Sequence, residues 1–148
     1  MGTRLTGTLL VVAIAVALMT GCLPGGEDDD AGYEPVPDEE LYAEIAALEG
    51  VQEVDIRFVE GFGRTNNYGG ELTVADPDRA LELLDRAIAI LWQGREGALA
   101  DLLVLGPDRQ LLHYTSDLGL RKPADYEDRY GPQPGTGEPP EGSVGEPR

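Results

Sequence analysis

One histidine, one cysteine and a large excess of carboxylates are the groups in this chain with chemistry to offer. His113 stands between Leu112 and Tyr114. A catalytic imidazole needs an orienting acid and a nucleophile or substrate proton within reach. Ser116 follows closely, but no nucleophile-elbow pattern surrounds it. Residues two apart on a strand share a face, so His113 and Thr115 point one way and Ser116 falls past the strand end. The expectation is a surface or edge histidine. One His and one Cys do not make a zinc or redox iron site, so neither metal nor cofactor is expected. Glycoside cleavage needs two carboxylates at a set separation, and no pair stands out among the 28 acids. Asp76 and Asp78 flank Pro77 at a helix start, where capping accounts for them. Glu27-Asp28-Asp29-Asp30 is contiguous, unlike the spaced ligands of a calcium loop. The expectation is a protein that is not an enzyme.

The segment Gly61-Phe62-Gly63-Arg64-Thr65-Asn66-Asn67-Tyr68-Gly69-Gly70 is the richest contact surface in the sequence. Phe62, Arg64, Asn66, Asn67 and Tyr68 set two aromatics, a planar cation and two amides on a glycine frame, and are the candidate partner-binding residues. The alternative is a long hairpin loop whose Phe62 and Tyr68 cover the sheet edge. Its Gly-x-Gly is a weak phosphate signal, because no helix follows directly and no Lys accompanies it.

Cys22 closes the string Met19-Thr20-Gly21-Cys22. Arg4 and the amine before it form a short positive segment, and residues 9–19 are unbroken apolar sequence. That run fits a signal-peptide core of ~7–15 residues and falls short of the ~20 needed to span a bilayer. The string resembles the lipobox of bacterial lipoproteins. The resemblance covers the first 22 residues and implies a diacylglyceryl thioether on Cys22 with cleavage before it. It also implies an address, the outer face of the bacterial cytoplasmic membrane. As the only cysteine, Cys22 cannot form an intramolecular disulfide, and lipid attachment would use up its thiol.

The formal charge is −17, and loss of Arg4 with residues 1–21 makes the remainder more negative still. Such a chain repels phosphate, so no nucleic-acid partner is expected. Residues 22–37 hold four acids in a row with Pro24, Pro35 and Pro37, and are expected to be a solvated linker. Residues 132–148 are Pro, Gly, Glu and Ser with almost nothing apolar, and are expected to be disordered.

Between them lies one expected domain, 38–131. A first helix is predicted over 38–49, capped by Asp38, with Leu41, Ile45 and Leu48 on one face. A strand follows over 51–59, with Val54, Ile56 and Phe58 inward. After a connection over 60–70 comes a short strand with Leu72 and Val74 inward and Thr73 outward. The second helix is capped by Asp76, opened by Pro77 and stopped by Gly94. Leu81, Leu84, Ile88 and Leu91 form one apolar stripe, and Leu83, Ala87 and Ile90 a second. Asp78, Glu82, Asp85, Arg86 and Gln93 form the polar arc. Residues 99–105 read as a central strand, joined to a strand over 110–115 by the turn Gly106-Pro107-Asp108-Arg109. An extension begins near 116, with a short helix over 123–130 whose Tyr126 and Tyr130 can pack on the second stripe. The αββαββ order suggests an internal duplication. The expected fold is α+β: a two-layer sandwich with two helices on one face of a mostly antiparallel four-stranded sheet.

Two functional readings follow. One is a membrane-anchored module that binds an envelope protein or cell-wall component without catalysis. The other is a small envelope hydrolase or ligand-binding lipoprotein using carboxylates and the glycine-rich loop.

Overall fold

The computed structural model describes residues 33–61 and 66–142. The segment 1–21, Cys22, and the candidate contacts Phe62 and Arg64 lie outside the described residues. The elements are α1 (Asp38–Ala46), β1 (Val51–Val59), β2 (Asn67–Val74), α2 (Ala80–Leu91), β3 (Leu99–Leu105), β4 (Leu111–Tyr114) and α3 (Pro123–Tyr130). The fold is α+β, with strand order β1-β2-β3-β4. β1/β2 and β3/β4 are antiparallel hairpins. β2 and β3 are parallel, because α2 carries the chain back to the starting end of the sheet between them. The sheet is therefore mixed, and mostly antiparallel as expected. α1 and α2 pack on the sheet and on each other.

β2 begins at Asn67, so residues 67–70 belong to the sheet and the connection shortens to 60–66. Gly70 makes this possible. Its φ is +151°, and a Cβ there would come within 2.0 Å of the Asp55 carbonyl oxygen on β1. Thr73, expected to face solvent, is 7% exposed. Arg109 reaches over this part of the outer face from the β3–β4 turn, pairing with Glu71 at 2.7 Å and Glu53 at 3.5 Å.

α2 is covered on nearly every side. Leu84, Ile88 and Leu91 are buried, and so are Leu83, Ala87 and Ile90. Asp76 caps the preceding 3-10 turn by accepting the Asp78 N–H at 3.0 Å. Asp85 departs from its expected place on the polar arc, because it is completely buried. Its carboxylate accepts from Arg129 Nε at 2.8 Å and Nη2 at 2.6 Å, and from the Tyr130 hydroxyl at 2.7 Å. Both partners come from α3, which covers the side of α2 that helical periodicity assigns to water. Tyr126 of α3 stacks on Trp92 at a centroid distance of 5.4 Å.

The two flanking segments also differ from expectation. Residues 33–36 of the linker and 133–137 of the tail lie against the C-terminal end of α2, and residues 138–142 continue beside Glu82 and Arg86. A helix end leaves carbonyls without partners inside the helix. Here Trp92 O accepts from Gly135 N–H at 3.2 Å, and Gln93 O from Val36 N–H at 3.0 Å. Gly94 O accepts from the Tyr33 hydroxyl. Gln133 accepts the Gly97 N–H at 2.7 Å. Composition alone suggested that both segments were solvated, but they bind by backbone groups and single side chains, with Val36 packed against the core and Gly135 close to Trp92.

Two outcomes test this packing. Asp85→Ala should cost about 2–4 kcal/mol by chemical denaturation, because it takes the carboxylate from a half-buried Arg129 and the acceptor from the buried Tyr130 hydroxyl. Deleting residues 132–148 should lower the melting temperature by about 5 °C, since Trp92 is uncovered and helix-end carbonyls lose partners. An unchanged melting curve would return the tail to the role of a passive appendage.

Candidate functional site

Tyr68 was a candidate contact residue, and the structure removes it from that role. Its side chain is completely buried. The hydroxyl donates to Asp38 Oδ1 at 2.8 Å and accepts the Arg95 N–H at 3.0 Å. Arg95 in turn pairs with Asp38 at 2.8 Å and lies 4.2 Å above the Phe58 ring. Burial pushes the Tyr68 hydroxyl well above the ordinary phenol value. Asp38 is thus the first residue of α1, placed to hold Tyr68 and Arg95, and its side chain makes no cap. Gly94 does more than end α2, because a Cβ there would sit 2.2 Å from the Tyr68 oxygen. The alternation Tyr68, Leu72, Val74 was the signal for an inward Tyr68, interrupted by Gly70 at the position between.

Asn66 is exposed, and its Oδ1 accepts the Gly61 N–H at 3.2 Å, which closes the root of the loop. Asn67 is half-buried at the start of β2. His113 has an acid beside it after all, Asp117 Oδ2 at 3.1 Å from Nδ1. That carboxylate also accepts the Tyr114 N–H, so its geometry serves the turn after β4. No group of His, Cys, Asp and Glu among the described residues is arranged to hold a metal ion.

The helices cover one sheet face only. On the other face the ladder aligns Asn67 with Leu99, Gly69 with Asp101, Glu71 with Leu103, and Leu103 with Tyr114. The exposed large apolar residues Val59, Leu111 and Tyr114 are all on this outer face. At its β4 side the ladder stops early. Thr115 Oγ1 accepts the Leu102 N–H at 2.8 Å, and its hydroxyl turns back to the Leu102 carbonyl at 3.4 Å. The Tyr126 hydroxyl donates to the Ala100 carbonyl at 2.5 Å. Two side chains therefore stand in where β4 would have continued.

The missing stretch of strand leaves an open hollow of about 570 Å³. Leu99, Ala100 and Leu120 supply its apolar part, Tyr114 an aromatic wall, and Asn67, Asp101, Ser116 and Arg121 its polar groups. Tyr114 is 46% exposed. Among the described residues, the side chains of those four polar residues are engaged in no hydrogen bond or ion pair. A second, smaller hollow of about 360 Å³ adjoins it, sharing Asp101 and crossing Gly69 towards Arg57 and Asp55. Asp101 is the one charged residue within β3, and its outward position was legible as a break in the apolar run. Tyr114, Ser116 and Arg121 carried no periodic signal that would have joined them to it.

Comparison with protein-family models, with curated proteins and with solved structures finds no match to this chain.

The back wall of the hollow has a measurable signature. Burial raises the Tyr126 hydroxyl from the ordinary phenol value of 10.0 to about 12. Below pH 10 the phenol is neutral in both folded and unfolded chains. Above it the unfolded chain ionises first, so stability falls as pH rises from about 10 to about 12. Tyr68 and Tyr130 are raised in the same direction by burial and add to the loss. Denaturant titrations across this range should show the decline, and Tyr126→Phe should make it shallower. A decline of identical slope in Tyr126→Phe would remove Tyr126 from the account.

Proposed function

We propose that this protein is a lipid-anchored binding module of the bacterial cell envelope. Its anchor is Cys22, and its ligand is an envelope protein or cell-wall component held on the outer sheet face. The observation that carries the reading is the hollow beside Tyr114, lined by four polar side chains that have no hydrogen-bond or ion-pair partner among the described residues. Accessible polar side chains not already engaged by the fold, beside an exposed aromatic, are the makings of a recognition site. This reading assigns the module no catalysis. Among the described residues the imidazole of His113 has an acid but no nucleophile aligned with it.

The spacer supports the tethering role. Residues 22–32 separate the proposed anchor from residue 33, where the described part of the domain begins. At ~3.3–3.6 Å per residue this allows a reach of roughly 35 Å from the lipid. Two acyl chains hold a protein stably at a bilayer, whereas the acidic domain is repelled by anionic headgroups. The formal charge of −17 equally disfavours nucleic acid.

Two measurements test the reading. Cys22→Ala should move the protein out of the membrane fraction or leave it unprocessed. The intact mass of the wild type should correspond to a chain beginning at Cys22 plus lipid, and an unmodified mass from Cys22 would end the anchoring proposal. Capture of envelope material by the full chain should fail for Tyr114→Ala combined with Arg121→Ala. Equal capture would move the binding site elsewhere.

A further inference from the structure

We infer that the ligand of the outer face is a linear, uncharged oligosaccharide, with one ring against Tyr114 and the chain continuing over Gly69. This rests on the binding-module reading above and names the chemistry of its ligand.

The first argument is what the site cannot bind well. An extended peptide would need free backbone groups along a strand edge. Behind the hollow that edge is already occupied, at Leu102 by the Thr115 hydroxyl and at Ala100 by the Tyr126 hydroxyl. Recognition therefore falls to side chains. A polyanion faces the formal charge of −17 on the whole chain. The hollow itself has one carboxylate, Asp101, and one guanidinium, Arg121, so its lining balances in charge.

The second argument is what the lining offers. The amide of Asn67, the carboxylate of Asp101 and the guanidinium of Arg121 are planar, and each presents two polar atoms side by side. Adjacent hydroxyls of a sugar ring match that spacing, since each hydroxyl both donates and accepts. The phenol ring of Tyr114 offers a flat apolar surface to the C–H face of the same ring. The Ser116 hydroxyl adds a donor and acceptor at the rim. At about 570 Å³ the hollow lies within the ordinary range for small-molecule sites, ~300–1,000 Å³.

The third argument is Gly69. A glycine inside a central strand weakens the sheet and often marks the close approach of a ligand or another backbone. Gly70 has its own reason, the Asp55 carbonyl. Gly69 does not, because a Cβ there would meet nothing nearer than 3.8 Å. Its bare surface opens a shallow path from Asp101 towards Asp55 and Arg57, continuous with the hollow. A ligand longer than one ring follows that path.

The test is calorimetric titration of the full chain in a detergent without a sugar headgroup. The probes are the β-1,4-linked tetramer of N-acetylglucosamine, cellotetraose, the two corresponding monosaccharides, tetra-alanine and inorganic phosphate. At least one tetrasaccharide should bind with a Kd of about 0.1–1 mM, as an open site implies. Tyr114→Ala and Asp101→Ala should each weaken it at least about tenfold, with melting temperatures unchanged. Gly69→Val should weaken the tetramer and spare the monosaccharide. Leu111→Ala, equally exposed on the same face but outside the hollow, should change nothing. Absence of binding by either tetrasaccharide, or binding indifferent to Tyr114 and Asp101, overturns the inference. Binding of tetra-alanine or phosphate in their place also overturns it. In each of those cases, envelope capture that still depends on Tyr114 and Arg121 would leave the binding-module reading standing.

Discussion

A carboxylate with no contact with water must be held by donors, and Asp85 is such a carboxylate. It sits in the middle of α2, on the side that meets α3. Arg129 and Tyr130 supply the donors, and the Asp85 carboxylate raises the Arg129 guanidinium above its ordinary value. Meeting that one charge requires α3 to lie where it does. Once α3 is there, Tyr126 stacks on Trp92 and reaches the Ala100 carbonyl. That hydroxyl closes the β3 edge and forms the rear of the hollow. The candidate site is thus a consequence of how a buried charge was neutralised one layer away.

The C-terminal end of α2 is the second fixed point. Its carbonyls take hydrogen bonds from Tyr33, Val36 and Gly135, which come from opposite ends of the described chain. Trp92 adds its own bond, donating to the Gly131 carbonyl at 2.8 Å. The domain therefore includes parts of both segments that composition marked as solvated. Polar chain can be ordered without an apolar face when a helix end offers it acceptors. A consequence is that the described chain begins beside this helix end.

Helices sit on one face of the sheet, and the other face carries the exposed apolar residues. Its central strands bear Gly69, Glu71, Asp101 and Leu103, a mixture that neither forms a core nor repels a ligand. Arg109 links this face to β1 and β2 through Glu53 and Glu71. The loop at residues 60–66, rich in contact-forming residue types, contributes Asn67 at its boundary to the hollow, and Tyr68 turns inward.

Sequence alone determined the elements whose signals are local. β1, β3 and α3 stand where alternation, apolar run and the Pro123–Gly131 bracket put them, and Asp76 with Pro77 opens the second helical segment as expected. These depend on neighbours a few residues away, whose spacing is written along the chain. Tertiary structure alone decided what depended on distant partners. Asp85 fits a solvent-facing arc by periodicity, and its donors Arg129 and Tyr130, 44 and 45 residues away, make its burial tolerable. Tyr68 stands among glycines and amides, and only Asp38 and Arg95 satisfy its hydroxyl inside the core. The hollow joins Asn67, Asp101, Ser116 and Arg121 because Thr115 ends one ladder early, and no spacing in the sequence encodes that meeting. A polar residue's place is set by whoever can pair with it, and pairing is a property of the folded chain.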